Sequence, residues 1–231
     1  MIIQLMKIYP YLTFLFSLIA SVSFTMVDAQ KKISEGAVTY TVSYELSATQ
    51  LLYADQYPKE ITCYFRGDSS AATTNQGAII VKGVSVFKAN YHSLIIDIPS
   101  LSKKILVVMT PEEVEQEKAA NPQFTSTKGT EKEVIDGYNC TKATVTDAKN
   151  GGSYEIWVTN DIDMPPNSVS KLVSDFGGVP IRFITFNRGI RINAEIKEIK
   201  EVTVPPGFFS AAKDYQPMSF TDLKAMAAGG K

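Results

Sequence analysis

Residues Gly36–Ser47, with the sequence GAVTYTVSYELS, decide the fold class of this chain. Val38, Tyr40 and Val42 occupy every second position and alternate with hydroxyl-bearing or charged residues. This two-residue period is typical of a β-strand that has one face in an apolar core and the other in water. The stretch therefore predicts a half-buried strand of an antiparallel sheet.

Similar short runs, apolar or alternating, follow along the chain and are separated by turn-forming residues such as Arg66-Gly67-Asp68 and Lys82-Gly83. They are Glu60–Arg66, Gly77–Val81, Val84–Lys88, Ser93–Ile98, Lys103–Met109, Lys132–Val134, Cys140–Asp147, Ser153–Thr159, Val179–Phe186 and Gly189–Val204. We expect a mainly β protein built as a meander of antiparallel hairpins.

Two or three short helices should accompany the sheet. Thr110, Pro111 and Glu113 form a capping box that predicts a helix start, and Pro122 ends that helix. Ser219 predicts the N-cap of a second helix that reaches Ala228. A third short helix is predicted from Asn167 or Ser168 to Phe176, before a Gly-Gly break.

Two of the predicted strands, Lys103–Met109 and Val179–Phe186, are apolar on both faces and must be covered on both. The few helices cover one face, so the other either packs on itself as a barrel-like core or encloses an apolar cavity. In Gly189–Val204 the alternation changes phase at Ile199, which predicts a bulge near Glu198 or Glu201 and a strand that follows a curved sheet.

The first 29 residues have the pattern of a secretory signal peptide. Lys7 precedes an uncharged run, residues 8–27, and Val27-Asp28-Ala29 supplies the small residues of a cleavage site. We expect residues 1–29 to be removed and residues 30–231 to form a single domain, periplasmic or secreted. The uncharged run is also long enough to remain as a membrane anchor.

Charge and cysteine content limit the function classes. The chain has 23 basic and 24 acidic residues, so no excess of positive charge favours nucleic acid as a partner. Cys63 and Cys140 either form a disulfide in an oxidising compartment or are two separately buried thiols.

The sequence gives no support for an enzyme, a metal site or a cofactor. His92 is the only histidine and is expected in a turn before an apolar strand. Adjacent Glu112 and Glu113 point apart on a helix and suit its N-terminus. Asp161 and Asp163 lack the glycine and the later glutamate of a calcium loop.

Several motifs resemble an uncharacterised family of secreted or periplasmic proteins of Gram-negative bacteria, related to the lipoprotein-carrier LolA-like superfamily and similar to the GLPGLI family. The motifs, between residues 36 and 205, are Val38–Tyr44, Tyr64–Asp68, Ile135–Cys140, Glu155–Thr159 and Gly178–Ile181. The GLPG core is replaced here by Phe176-Gly177-Gly178-Val179-Pro180. The resemblance implies a mainly β fold, a curved antiparallel half-barrel that is partly covered by helices. Its concave apolar face would bind a lipid or another hydrophobic ligand.

The candidate ligand-binding residues are aromatic: Trp157, Tyr40, Tyr44, Phe65, Phe183 and Phe186. Alternation places Trp157 with Glu155 and Thr159, opposite to Ile156. It is expected either under a helix or loop or at the rim of the concave face. The alternative function is a non-enzymatic module that binds a cell-envelope protein through a sheet edge or strand loops, with a fully packed interior.

Overall fold

Twelve β-strands make up most of the described chain in this computed structural model, which describes residues 33–149, 151–165, 168–169, 177–187 and 189–229. The strands are β1 (Glu35–Tyr44), β2 (Glu60–Arg66), β3 (Ser69–Gln76), β4 (Ile79–Val86), β5 (Tyr91–Ile98), β6 (Lys103–Met109), β7 (Phe124–Ile135), β8 (Tyr138–Asp147), β9 (Ser153–Thr159), β10 (Val179–Asn187), β11 (Ile190–Lys200) and β12 (Gln216–Pro217). The described helices are α1 (Ala48–Leu51), α2 (Pro111–Ala119) and α3 (Phe220–Gly229), with 3-10 turns at Ala54–Gln56 and Pro99–Leu101. The predicted signal peptide and most of the helix predicted before Phe176 lie outside the described residues.

The strands form one open, curved sheet in the order β12-β6-β5-β4-β3-β2-β1-β11-β10-β9-β8-β7. Two antiparallel meanders, β2 to β6 and β7 to β11, meet at β1, which pairs with β2 on one side and with β11 on the other. Only β12 is parallel to its neighbour, β6, among the described strands. The predicted mainly β class and curved sheet are confirmed.

The predicted bulge lies at the centre of this sheet. Thr39 pairs with Glu198 and Tyr40 pairs with Ile196, so Lys197 is an extra residue of β11. The shift returns the apolar side chains of β11 to one face, and Ile199 packs against the core.

The strand predictions were wrong in several details. β3 was missed, because its small and polar residues give no apolar alternation, although Ser70 and Ala71 are buried. The turn predicted at Lys82-Gly83 does not exist, since both residues belong to β4 and pair with residues of β3. β7 begins at Phe124, eight residues before the predicted Lys132.

Both predicted helix caps are confirmed. Thr110 Oγ1 accepts a hydrogen bond from the backbone N–H of Glu113 at 3.2 Å, and the Thr110 N–H donates to the Glu113 carboxylate at 2.8 Å. At the start of α3, Ser219 Oγ accepts from the Asp222 N–H at 3.0 Å. Each cap satisfies N–H groups that would otherwise lack a partner.

The side of the sheet that carries Val38, Tyr40, Cys63 and Phe65 is the core face, and the side that carries Thr39, Thr62 and Tyr64 is the outer face. The largest apolar cluster includes residues on the core face of β1, β2 and β8 to β11. A second cluster places Phe220 of α3 against Ile96, Ile105 and Val107 of the β5–β6 pair.

The C-terminal segment crosses the outer face before it reaches α3. The Val204 N–H donates to Glu35 at 2.6 Å, and Arg66 donates to the Val204 carbonyl at 2.7 Å. Phe208 and Phe209 then pack over Ala71, Val84 and Ile95. β12 then pairs with the edge strand β6, and α3 packs against Ile105 and Val107 on the core face of β6. Leu106, on the outer face of β6, packs with the cluster of Phe208 and Phe209. Both apolar faces of β6 are thus partly covered, as its sequence requires.

We predict that Gly178→Ala destabilises the protein strongly. Gly178 has a φ of +83°, and a Cβ there would lie 2.3 Å from the Thr159 carbonyl oxygen. Both the backbone strain and the clash should lower the free energy of unfolding by about 2 kcal/mol or more in urea denaturation. The control is Gly77→Ala, which has a φ of +61° and open space around it, and should lose about 1 kcal/mol. Equal losses for the two variants would contradict this account.

Candidate functional site

Three of the candidate ligand-binding residues lie on the core face and are buried: Tyr40, Phe65 and Phe183. Alternation along β1, β2 and β10 turns all three to this face, as the sequence predicts. They belong to one apolar cluster. The structure therefore brings them together.

Tyr40 and Phe183 are in direct contact although β11 lies between their strands. Their ring centroids are 5.4 Å apart in an edge-to-face arrangement. Ala194 of β11 pairs with Phe183, and its small side chain leaves room for the two rings to meet above the intervening strand. The centre of the core face is filled by side chains of the protein itself.

The Tyr40 hydroxyl has a partner inside this cluster. It donates a hydrogen bond of 2.9 Å to the Pro180 carbonyl oxygen, so burial leaves no donor unsatisfied there. Burial also raises the pKa of Tyr40 well above its usual value, with a smaller contribution from Cys63. The hydroxyl is therefore neutral at physiological pH and has a structural partner.

Tyr44 and Phe186 are half-buried and pack against the same cluster. The Tyr44 ring lies 5.0 Å from that of Tyr57, and burial together with this neighbour raises the pKa of Tyr44 to about 12. Phe186 stacks on Phe124 with a centroid separation of 5.4 Å. These contacts extend the apolar cluster toward the end of the sheet where β1 ends and β2 begins.

Trp157 is buried rather than exposed at a rim, with 7% of its surface accessible. It pairs with Lys142 of β8, whose ammonium lies 5.9 Å from the ring centroid. The register between β9 and β10 shifts beside it, where Arg182 is its partner. This low exposure favours the covered placement over the rim of the concave face.

Cys63 and Cys140 are both free thiols and both buried. Cys63 points to the core face of β2, whereas alternation places Cys140 of β8 opposite to Ala143 and Val145. Burial raises the pKa of Cys63 to about 12 and also raises that of Cys140. The disulfide considered from the sequence is thus not formed, and the alternative of two separate thiols is the observed arrangement.

Two surface cavities among the described residues measure several hundred cubic ångströms, and none of the six candidate residues lines either of them. One, of about 470 Å³, lies along α2 and is lined by Pro111, Glu112, Glu115, Gln116 and Ala119. The other, of about 370 Å³, lies on the outer face of β2 and β3. The apolar cluster and the open cavities are therefore in different places.

The residues weighed for catalysis have structural partners. His92 lies in β5 rather than in the expected turn, and its Nδ1 is 3.0 Å from Ser85 Oγ on the paired strand. Glu113 caps α2, and Asp161 accepts from the Asn139 N–H at 2.8 Å. Within the described ranges, no three His, Cys, Asp or Glu side chains form a group suited to a metal ion.

Sequence reasoning missed the exposed apolar tip of the loop between β1 and β2. Leu51, Leu52 and Tyr53 are 60%, 78% and 56% exposed, and α1 buries none of its residues. Three consecutive apolar residues that fit neither a strand nor an amphipathic helix were the available signal. No helix in the described part of the chain is both long enough and apolar enough to cross a bilayer.

Comparison with known proteins supports the fold and leaves the activity open. A family described as a domain of unknown function (DUF4412) matches residues 53–165. A solved structure of PNGF-II, in a C2 crystal form, aligns over 83% of this chain with a TM-score of 0.51 and 17% identity. The aligned part is 32% of that longer protein, so the likeness concerns the fold of one portion of it. No curated protein matches the chain.

We predict that neither thiol reacts in the native protein. Ellman's reagent at pH 8 should detect almost no thiol in the folded protein, because both cysteines are buried and protonated. After unfolding in guanidinium without reductant it should detect two. Two oxidised cysteines in the unfolded protein would contradict the structure.

The same pKa shift gives a pH dependence. A thiol whose pKa rises from 9.0 to about 12 on folding stabilises the folded state below pH 9 and loses that contribution as the pH rises toward 12. The free energy of unfolding should therefore fall more steeply over this interval in the wild type than in Cys63→Ala. Identical slopes would show that Cys63 is not buried as described.

Proposed function

We propose that this protein is an exported, non-enzymatic module of the cell envelope that binds another protein through its β1–β2 loop. The observation that carries the proposal is the exposed run Leu51–Tyr53 at the tip of that loop. Exposed apolar side chains grouped in sequence are typical of contact surfaces, and aromatic residues are enriched at the centres of interfaces.

The loop is held in place at its base, which favours binding. Ser47 and Gln50 form a capping box, in which Gln50 accepts from the Ser47 N–H at 2.8 Å. On the far side of the tip, Tyr57 packs its ring on Tyr44. An ordered loop loses less conformational entropy when it binds, so more of the contact energy contributes to affinity.

The filled core face supports a surface function over an internal ligand. Tyr40 and Phe183 occupy the middle of the apolar face, and Phe65 has no accessible surface. A bound acyl chain would have to displace these contacts, each of which stabilises the fold. Export rests on the signal-peptide pattern of residues 1–29, and the proposed location is the periplasm or the exterior.

A second candidate is the binding of a lipid or another hydrophobic ligand, in keeping with the proposed relation to LolA-like carriers. One observation favours it: part of the cover of the apolar cluster comes from the β9–β10 connection, through Met164 and Val169, rather than from a strand. A connection is displaced at lower cost than a strand. A ligand that displaced it would contact Cys63, whose thiol donates to the Ser168 carbonyl at 3.6 Å.

The protein-binding proposal predicts a position-specific crosslink. A photo-crosslinking amino acid at Leu52 should give one reproducible protein adduct when envelope-producing cells are irradiated, and Leu51→Ser with Tyr53→Ser should weaken it. The control is the same crosslinker at Val134, which is 66% exposed on the edge strand β7 at the opposite end of the sheet. Equal, diffuse crosslinking at both positions, or none at Leu52, would contradict the proposal.

The two candidates differ in their response to apolar ligands. Because Trp157 is the only tryptophan, its emission reports on the apolar cluster. Titration with a fatty acid, a phospholipid or an acylated peptide should produce no saturable shift if the interior is packed. A saturable shift that is absent in Trp157→Phe, together with lipid found by mass spectrometry in the purified protein, would favour the second candidate.

A further inference from the structure

The outer face of β2 and β3 carries a polar groove of about 370 Å³, a volume within the usual range of small-molecule sites. Alternation along β2 points Thr62 and Tyr64 away from the core, while Cys63 and Phe65 point into it. Thr62 pairs directly with Thr73 of β3, and these two threonines form the floor.

The two ends of the groove are fixed by different parts of the chain. At one end Tyr64 contacts Phe208 of the C-terminal segment, with ring centroids 4.7 Å apart. Lys82 holds that segment in place by donating to the Phe208 carbonyl at 3.0 Å. At the other end lie Lys59, Glu60 and Asn75. The groove therefore lies between the C-terminal segment, which Lys82 anchors, and the start of β2.

The lining is rich in groups that both donate and accept hydrogen bonds. The hydroxyls of Thr62, Thr73 and Tyr64 have this dual character, and the Asn75 amide supplies both a donor and an acceptor. The hydroxyl row continues onto β1, where Thr39 Oγ1 lies 3.1 Å from Thr62 Oγ1. A matching ligand should itself carry several hydroxyl groups.

Charge in the groove favours a neutral ligand. Lys59 and Glu60 lie side by side at its end, and Glu60 also pairs with Lys197 at 2.5 Å. Of the lining residues only Lys59 keeps an uncompensated positive charge, and a single exposed lysine is a weak site for a phosphate or sulfate. The Tyr64 ring adds an apolar surface against which the C–H groups of a sugar ring pack.

We propose that this groove binds a neutral saccharide. The hydroxyl groups of the sugar exchange hydrogen bonds with Thr62, Thr73 and Asn75, and its apolar side lies on Tyr64. The site differs from the protein contact proposed at Leu51–Tyr53, since none of those three residues lines it, although Pro58 and Lys59 of the same loop do.

The test begins with the mature chain on an array of neutral oligosaccharides built from glucose, galactose, mannose and N-acetylglucosamine, with heparin fragments as anionic probes. The tightest neutral binder is then titrated by calorimetry against Thr62→Val and Thr73→Val. Each variant removes one hydroxyl and should weaken binding by about tenfold, as expected for a lost hydrogen bond to a sugar hydroxyl.

Thr144→Val is the matched control, because Thr144 is also half-buried in a strand but lies on β8, far from the groove in strand order. The affinity of Thr144→Val for the saccharide should equal that of the wild type, and thermal unfolding should show that all variants fold. The proposal is overturned if no neutral saccharide binds at millimolar concentration, if only heparin binds, or if folded groove variants bind as well as Thr144→Val.

Discussion

Strand β1 is the element on which the rest of the structure depends, because it pairs with β2 on one side and with β11 on the other. The two pairings of β1 join the meander β2 to β6 to the meander β7 to β11. Within each meander, every strand pairs with the strand next to it in sequence. The β1–β11 pairing closes a loop of about 150 residues, which carries a large entropic cost that must be offset by burial. Val38 and Tyr40, almost inaccessible to solvent, provide that burial at the junction.

The same alternation that buries Val38 and Tyr40 gives the sheet two chemically different faces. The core face is filled by aromatic and aliphatic side chains, with Ala194 as the small residue that lets Tyr40 reach Phe183. The outer face is crossed by the anchored segment after Val204 but leaves the threonines of β2 and β3 accessible. We therefore propose that recognition uses the outer face and the loop tips.

Much of the architecture could be predicted from the sequence because strand alternation and helix caps are local signals. Glu60–Arg66, Lys103–Met109 and Ser153–Thr159 were predicted with their observed bounds. β3 was not, since Ser, Ala and Thr are compatible with a loop and become a strand only through pairing on both sides. Parity places Tyr40, Phe65 and Phe183 on one face, but it does not place Trp157 and Phe186 with them. Whether the aromatic residues leave a cavity depends on contacts across intervening strands, which the sequence does not encode locally.

The contact between the Tyr40 and Phe183 rings is the most direct test of a filled core face. Selective aromatic labelling and NMR should show nuclear Overhauser effects between the two rings, which are 5.4 Å apart at their centroids. The effects should persist unchanged when a fatty acid or phospholipid is added. Absence of the ring-to-ring effects, or their replacement by effects to acyl-chain protons, would contradict the packed interior and with it the assignment of function to the surface.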